Sequence, residues 1–384
     1  YVGQPVFLVA ATSHLAARKA VRRAQLEYEE LPAIVTIDEA MAADSRFEEG
    51  PRGDPKGDAE SAIAASETVI TGSIETGGQE HVYLEGQAAV ALPQEGGDMI
   101  VHSSSQHPTE VQHKVADALG VPMNAVRVEV RRMGGGFGGK ESQGNALAIS
   151  CAIVASLTGR PCSMRYDRDD DMTITGKRHD FRIDYRVGCD GEGRIAGVEF
   201  LQLCRCGWSM DLSLPVADRA MLHADNAYHL PNVRIESHRL RTNSQSATAF
   251  RGFGGPQGML GIERVLDHVA HVVGHDPLEV RRLNYYRAAE KSGPGTGRRY
   301  GGEHSPKAGE IGPQTTPYHM PVEDFILHEM TDRLVETSDY YRRKAAISEW
   351  NAGNGILKKG IALTPAKFGI SFTLTHLNQA GALV

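Results

Sequence analysis

VRVEVRRMGGGFGGKESQGNALAISCAIVASLT, residues 126–158, decides how this chain folds. Val126, Val128 and Val130 alternate with Arg127 and Glu129, the period of a strand with one face in a core. Residues 134–141 then hold five glycines around Phe137, and an apolar run over 146–157 follows at once. That run is short of the ~18 residues a membrane span needs, and it is expected as a buried helix. A tight turn uses glycine for positive backbone dihedrals, but five exceed that need. Removing so many side chains lets backbone N–H groups near a helix start approach an anionic or polar ligand, with Phe137 as one apolar wall.

Two nucleotide readings of the loop fail. Gly134, Gly136 and Gly139 fit GxGxxG, and Gly134 with Gly139 and Lys140 fits a P-loop up to its last position. There Glu141 stands where Ser or Thr must reach magnesium, and it would set a carboxylate against phosphate. A dinucleotide site wants an acid about twenty residues on, and none lies between Glu141 and Asp167.

Working outward, residues 5–10 read as a strand, Ser13 as the cap of a helix, and 24–27 as a second strand. Residues 48–55 form the first linker. Strands are expected over 68–74, 81–92, 181–187 and 195–203, and helices after Pro108, over 257–273 and, behind an Asp276-Pro277-Leu278-Glu279 capping box, from 277. Residues 288–317, rich in Gly, Pro and charge, are expected as a loop; two helical patterns over 322–336 and 339–350 and a strand over 369–374 close the chain. The fold class is α+β (mixed α/β), with no repeat of fixed period.

At 384 residues, 41 % hydrophobic and 23 % charged, the chain has material for at least two packed units. A net charge of -7 without a long Lys/Arg block removes the attraction a phosphate backbone demands, so no nucleic-acid partner is expected, and no membrane partner either. Cys151, Cys162, Cys189, Cys204 and Cys206 show neither CxxC nor iron-sulfur spacing and are expected as buried apolar packing. Their odd number, without a signal peptide, suits a reducing cytoplasm. The 16 histidines lack HExxH spacing, and an EF-hand at Asp167, Asp169 and Asp171 would need glycine at Met172 and glutamate at Arg178. The chain starts on Tyr1 and ends on apolar 380–384, and it reads as a piece truncated at both ends.

RRMGGGFGGKE (131–141), with GGQEHVYLE (77–85) before it and DMTITGKRHDF (171–181), DRAMLHAD (218–225), TAFRGFGGPQG (248–258) and KFGISFTLTHLNQAGAL (367–383) after it, resembles the xanthine dehydrogenase branch of the molybdenum hydroxylases. The likeness runs over nearly the whole chain in the family's order. It implies that residues 1–50 end a hammerhead-like α/β domain, 58–287 form a first molybdopterin-binding domain, and 318–384 start a second. It implies a molybdenum-molybdopterin cofactor with no protein ligand to the metal. Gln106, in SSSQHP, matches the glutamine that bonds a molybdenum oxo group, and Phe137 and Arg251 match cofactor contacts, with Gly136 and Gly138 beside them. Glu141 and Arg219 match the pair that hydrogen-bonds a purine's polar edges and are the residues of this chain expected to act in catalysis. Phe253 and Phe372 match two aromatics that sandwich its ring, with Thr373 alongside.

Taken singly, the two phenylalanines read as core, Arg219 as a surface ion pair with Asp218 or Asp211, and Glu141 as a solvated or helix-start charge. Their joint place inside the quoted blocks marks them. The reaction implied is insertion of a water-derived oxygen at a purine carbon, with hypoxanthine and xanthine as substrates. Aldehyde-oxidising relatives differ at the Glu141 and Arg219 positions, and a non-catalytic scaffold is the competing class. The family's general-base glutamate falls beyond residue 384. Iron-sulfur clusters and FAD are expected on a partner subunit of a hetero-oligomer or on another part of the polypeptide.

Overall fold

A computed structural model of the chain describes residues 1–47, 51–287, 314–323, 326–373, 375 and 378. Ser13 accepts from Ala16 N and starts α1, His14–Val21; Thr36 and Glu39 form a capping box on α2, Ile37–Ala42. The strands expected over 5–10 and 24–27 are absent. Val6 is 70 % exposed and Leu8 48 %. An apolar alternation makes a strand only where a neighbouring ladder and a core receive it, and the described residues offer these segments neither.

Two sheets carry the rest. The elements run β1 (Arg52–Lys56), α3 (Ala59–Ala64), β2 (Thr68–Thr76), β3 (Ala88–Pro93), β4 (Met99–Ser103), α4 (Pro108–Leu119), β5 (Val126–Glu129), α5 (Asn145–Thr158), β6 (Cys162–Arg165) and α6 (Arg168–Ile174). Then come β7 (Asp180–Cys189), β8 (Ile195–Gly207), α7 (Ser213–Leu222), β9 (Val233–Arg241), α8 (Gly255–Val273), α9 (Pro277–Asn284), α10 (Leu327–Thr337) and α11 (Tyr340–Gly353). One sheet has the order β1-β9-β8-β7-β2, antiparallel except for parallel β8 and β9; the other has β5-β4-β3-β6, with β4 and β5 parallel. Ile183, Val187, Val198 and Phe200 of the larger sheet pack with Ile262, Val265, Leu266 and Val269 of α8. Ala89, Ala91 and Val101 of the smaller one pack with Val111 and Val115 of α4 and Leu147, Cys151 and Ala155 of α5. Each fully buried aliphatic side chain here contributes about 1.5–3 kcal/mol.

Other expectations shift for local reasons. The strand expected over 81–92 starts only at Ala88, because 81–87 turn aside to hold the glycine loop. Half of the capping box on α9 forms: Asp276 accepts from Leu278 N, while Glu279 accepts the Tyr341 hydroxyl instead. Asp167 caps α6, and buried Asp171 accepts from Tyr83 Oη, so neither is arranged as a calcium loop. Four of the five cysteines are buried, Cys162 partly, and all are free thiols. Residues 48–50 of the linker and 288–313 of the Gly/Pro-rich segment lie outside the described residues. No described helix is long and apolar enough to cross a membrane.

Candidate functional site

The glycine loop leaves β5 and enters α5 at the edge of the smaller sheet. Phe137 has φ 55°, and it is exposed. Gln106, in the turn between β4 and α4, closes the loop from below. Its Oε1 accepts from Gly138 N (2.8 Å) and Lys140 N (3.3 Å), and its own N–H donates to Lys140 O (2.8 Å). A Cβ on Gly136 would lie 2.5 Å from Gln106 Oε1, and one on Gly138, at φ 99°, 2.7 Å from the Ala249 carbonyl. Close approach disfavours a side chain at both positions, and at Gly138 the backbone angle demands glycine as well.

The second wall is the 247–254 loop. Arg251 N donates to Phe137 O (3.0 Å), which sets the two loops side by side and leaves the Arg251 side chain exposed next to Phe137. Residues that the sequence reading missed hold this pairing. His81 meets Ala249 O (2.7 Å) and packs edge-on to Phe250, and Arg178 lies over the Phe250 ring and donates to Arg251 O (2.8 Å). Beneath the loop, Glu85 accepts from Gly134 N (2.7 Å), and Gln87 donates to Gly139 O (2.8 Å). The fully buried Lys140 ammonium donates to Ser104 Oγ (2.8 Å) and lies over Tyr83. His81, Tyr83 and Glu85 lie in GGQEHVYLE and Arg178 in DMTITGKRHDF, so the place of those four inside the two blocks was the available signal.

The residues expected to meet a substrate gather around α7. Arg219 is 4 % exposed, not a surface ion pair; Asp218 instead pairs with Arg52. Its guanidinium donates to the carbonyls of Gly369 and Ser371, leaving three of its five N–H groups, Nε among them, without a protein acceptor among the described residues. Burial lowers its pKa. His223, whose pKa is lowered chiefly by burial, uses Nδ1 towards Arg219 O (2.8 Å) and accepts Gly369 N–H at Nε2 (3.0 Å), which fixes the tautomer.

Residues 365–373 thus lie along α7 as a strap, in reverse order. Pro365 O and Lys367 N bond the Asn226 side chain, Lys367 Nζ pairs with Asp225, Gly369 meets His223, and Thr373 Oγ1 donates to Pro215 O (2.7 Å). The strand expected over 369–374 is absent over 369–373, and Leu374 lies outside the described residues. The backbone groups a ladder would have used are taken by side chains of α7 and the turn after it.

The strap brings Phe372 to Phe253, ring centroids 5.0 Å apart and tilted by 45°, with Arg219 over Phe253. The rings touch each other. A flat molecule between parallel faces needs roughly 7–8 Å, two carbon contact distances, so entry of a ring requires Phe372 or the strap to yield. Glu141 sits at the glycine loop's exit. Burial pushes its carboxyl up to about 7, and the negative charges of Asp211 and Glu110 add to this. Asp211, two residues before α7, has its own pKa raised by burial. Glu141 therefore faces the start of the helix that carries Arg219; among the described residues no ion pair joins the two.

Residues 46–285 match the family model of the molybdopterin cofactor-binding domain. Xanthine dehydrogenase of Drosophila subobscura is 42 % identical over 383 residues, covering 100 % of this chain and 27 % of that protein. Xanthine dehydrogenase of Blastobotrys adeninivorans is 40 % identical over 386 residues, covering 100 % of this chain and 26 % of the relative. The chain thus spans about a quarter of the length of the curated relatives it matches. Among solved structures, the aldehyde oxidoreductase of Desulfovibrio gigas superposes with a TM-score of 0.74 at 27 % identity, over 90 % of this chain and 36 % of that one.

Proposed function

The chain belongs to the molybdopterin cofactor-binding domain family, and from that premise we propose that it supplies the cofactor cradle and the substrate wall of a molybdenum-dependent purine hydroxylase. In this reading residues 1–50 close a hammerhead-like domain, 58–287 form the first cofactor domain and 318–384 begin the second. The residues present fit the cofactor. Gln106 is anchored through its oxygen, and its amide N–H2 has no acceptor among the described residues; the backbone at Gly136 and Gly138 is packed against Gln106 and Ala249 too closely for a Cβ, which fixes the course of the loop. Exposed Phe137 and Arg251 flank it. Two-electron oxidation with insertion of a water-derived oxygen is the chemistry that molybdenum-molybdopterin supplies when bound.

The protein's part is orientation and charge. Near neutral pH Glu141 is divided between its acid and carboxylate forms, so it can donate to a ring nitrogen or accept from an N–H. Arg219 offers its remaining N–H groups to a ring carbonyl and stabilises negative charge that develops on the heterocycle. Phe253 and Phe372 exclude water from the ring's faces. The observation that carries the purine reading is the buried Arg219, desolvated and pre-aimed by the strap, on the helix that Glu141 faces. Onward electron transfer falls to iron-sulfur and FAD groups elsewhere in a larger cytoplasmic protein or on a partner subunit.

The test is steady-state turnover of xanthine and of an aromatic aldehyde by the holoprotein. Purine turnover is expected, suppressed in Glu141→Leu and Arg219→Met. Aldehyde turnover with no purine activity would favour the chemistry named for the D. gigas neighbour, and absence of molybdenum would favour a scaffold.

A further inference from the structure

Directly behind the 247–254 loop, the extended geometry of β8 turns Cys204 and Cys206, two residues apart, to one face. His179, the residue before β7, meets them there. One ligand atom from each lies within 4.8 Å of the others, and all three residues are 0 % exposed.

The sulfur atoms are 3.7 Å apart. Two sulfurs each ~2.3 Å from a shared tetrahedral ion stand about 3.8 Å apart, so β8 already holds the chelating separation. A disulfide needs ~2.05 Å, and closing that gap between alternate residues of one extended strand would distort it. A metal ligand needs one ring nitrogen to bind and the other to be oriented; Nε2 is oriented by Ser213 Oγ at 2.8 Å, and Nδ1 is buried, with the Thr248 backbone beside the ring.

We propose that His179, Cys204 and Cys206 bind one thiophilic closed-shell cation, zinc or cuprous copper, as a structural staple. Binding releases the two thiol protons and forms two metal–sulfur bonds and one metal–nitrogen bond, with no change of oxidation state. Imidazole and thiolate suit both ions; three ligands leave zinc one tetrahedral position for a small exogenous ligand. The staple joins segments that carry the substrate and cofactor residues. Ser213 opens α7, which bears Arg219, and Ala247 N, at the start of the loop bearing Arg251 and Phe253, donates to Cys206 O at 2.8 Å. The site lies apart from the proposed reaction, and its role is to hold these segments in register.

Elemental analysis of the chelator-dialysed holoprotein tests this. About one zinc or copper per chain is expected beyond its molybdenum and iron, and the element found decides between the two ions. Cys206→Val, a residue suited to a strand, should lose it, and Cys162→Ser, on the other sheet, should keep it. A second readout needs no variant: X-ray absorption at that element's edge should report two sulfur neighbours and at least one nitrogen. Substoichiometric zinc and copper, a Cys204–Cys206 disulfide in the mass spectrum, an ion retained by Cys206→Val, or a coordination shell without sulfur would each overturn the proposal.

Discussion

The glycine loop at 134–141 and the strap at 365–373 bring residues to one site by opposite means. The loop is held by the shape of its own backbone, packed so closely against Gln106 and Ala249 that side chains are excluded. The strap has no regular structure of its own; Arg219, His223 and Asn226 hold its carbonyls and amides from outside. The loop is thus vulnerable at its own positions, the strap at positions on α7 and in the turn after it, far away in sequence. A loop built in the first way can be rigid before any ligand arrives, and a segment held in the second way can yield, which the contact between Phe253 and Phe372 requires of it.

Five experiments bear on that contrast. Gly138→Val should have the largest effect, since a Cβ there meets the Ala249 carbonyl at 2.7 Å and the φ of 99° alone costs a side chain about 1–3 kcal/mol. Molybdenum content should fall near zero, whereas normal loading would mean that the loop adapts as the strap does. Arg219→Met should free the strap while sparing the cradle. Hydrogen exchange should accelerate over 369–373 and purine kcat/KM should drop roughly 100-fold, with molybdenum content unchanged; joint loss of the metal would make the two halves one unit.

Asp211→Asn sharpens the view of where the halves meet. Removing a like charge lowers the pKa of Glu141, so the pH profile of purine binding should move towards acid. Stability gives an independent check. The folded value of about 7 lies above the unfolded value of ~4.3, so the folded chain binds the extra proton between them. The stability contributed by this group is full below the unfolded value and is lost as pH rises through the folded one, and Glu141→Gln should flatten that slope in a Tm-against-pH series. The smallest effect expected is that of His223→Phe, which leaves Gly369 N–H without its acceptor and should cost about 1 kcal/mol in chemical denaturation.

The cradle was legible in the sequence because backbone shape forces residue type. Gly138, with its positive φ against the Ala249 backbone, can be nothing else, and strand, loop and helix follow one another without interruption. The long elements β7, β8, α5 and α8 were legible for a related reason, since their periodic apolar faces meet a core. The strap was not. Phe372 and Thr373 lie in a stretch rich in strand-forming residues, and nothing local reveals that an arginine 150 positions earlier will take the carbonyl of Gly369. Arg219 shows the converse: a charged helical residue reads as surface until its partners are known. His179, Cys204 and Cys206 were invisible for a third reason, because Cys-x-Cys on a strand and a lone histidine match no metal spacing until β7 and β8 pair.

The separation between Arg219 and its acceptors, 150 residues to Gly369 and 152 to Ser371, also sets a schedule for biosynthesis. At ~5–20 residues per second a ribosome needs roughly 8–30 s to deliver the second partner after the first. During that interval the nascent guanidinium must rely on water or a chaperone, and the contact between Phe253 and Phe372 matures after the glycine loop and Gln106 are already in place.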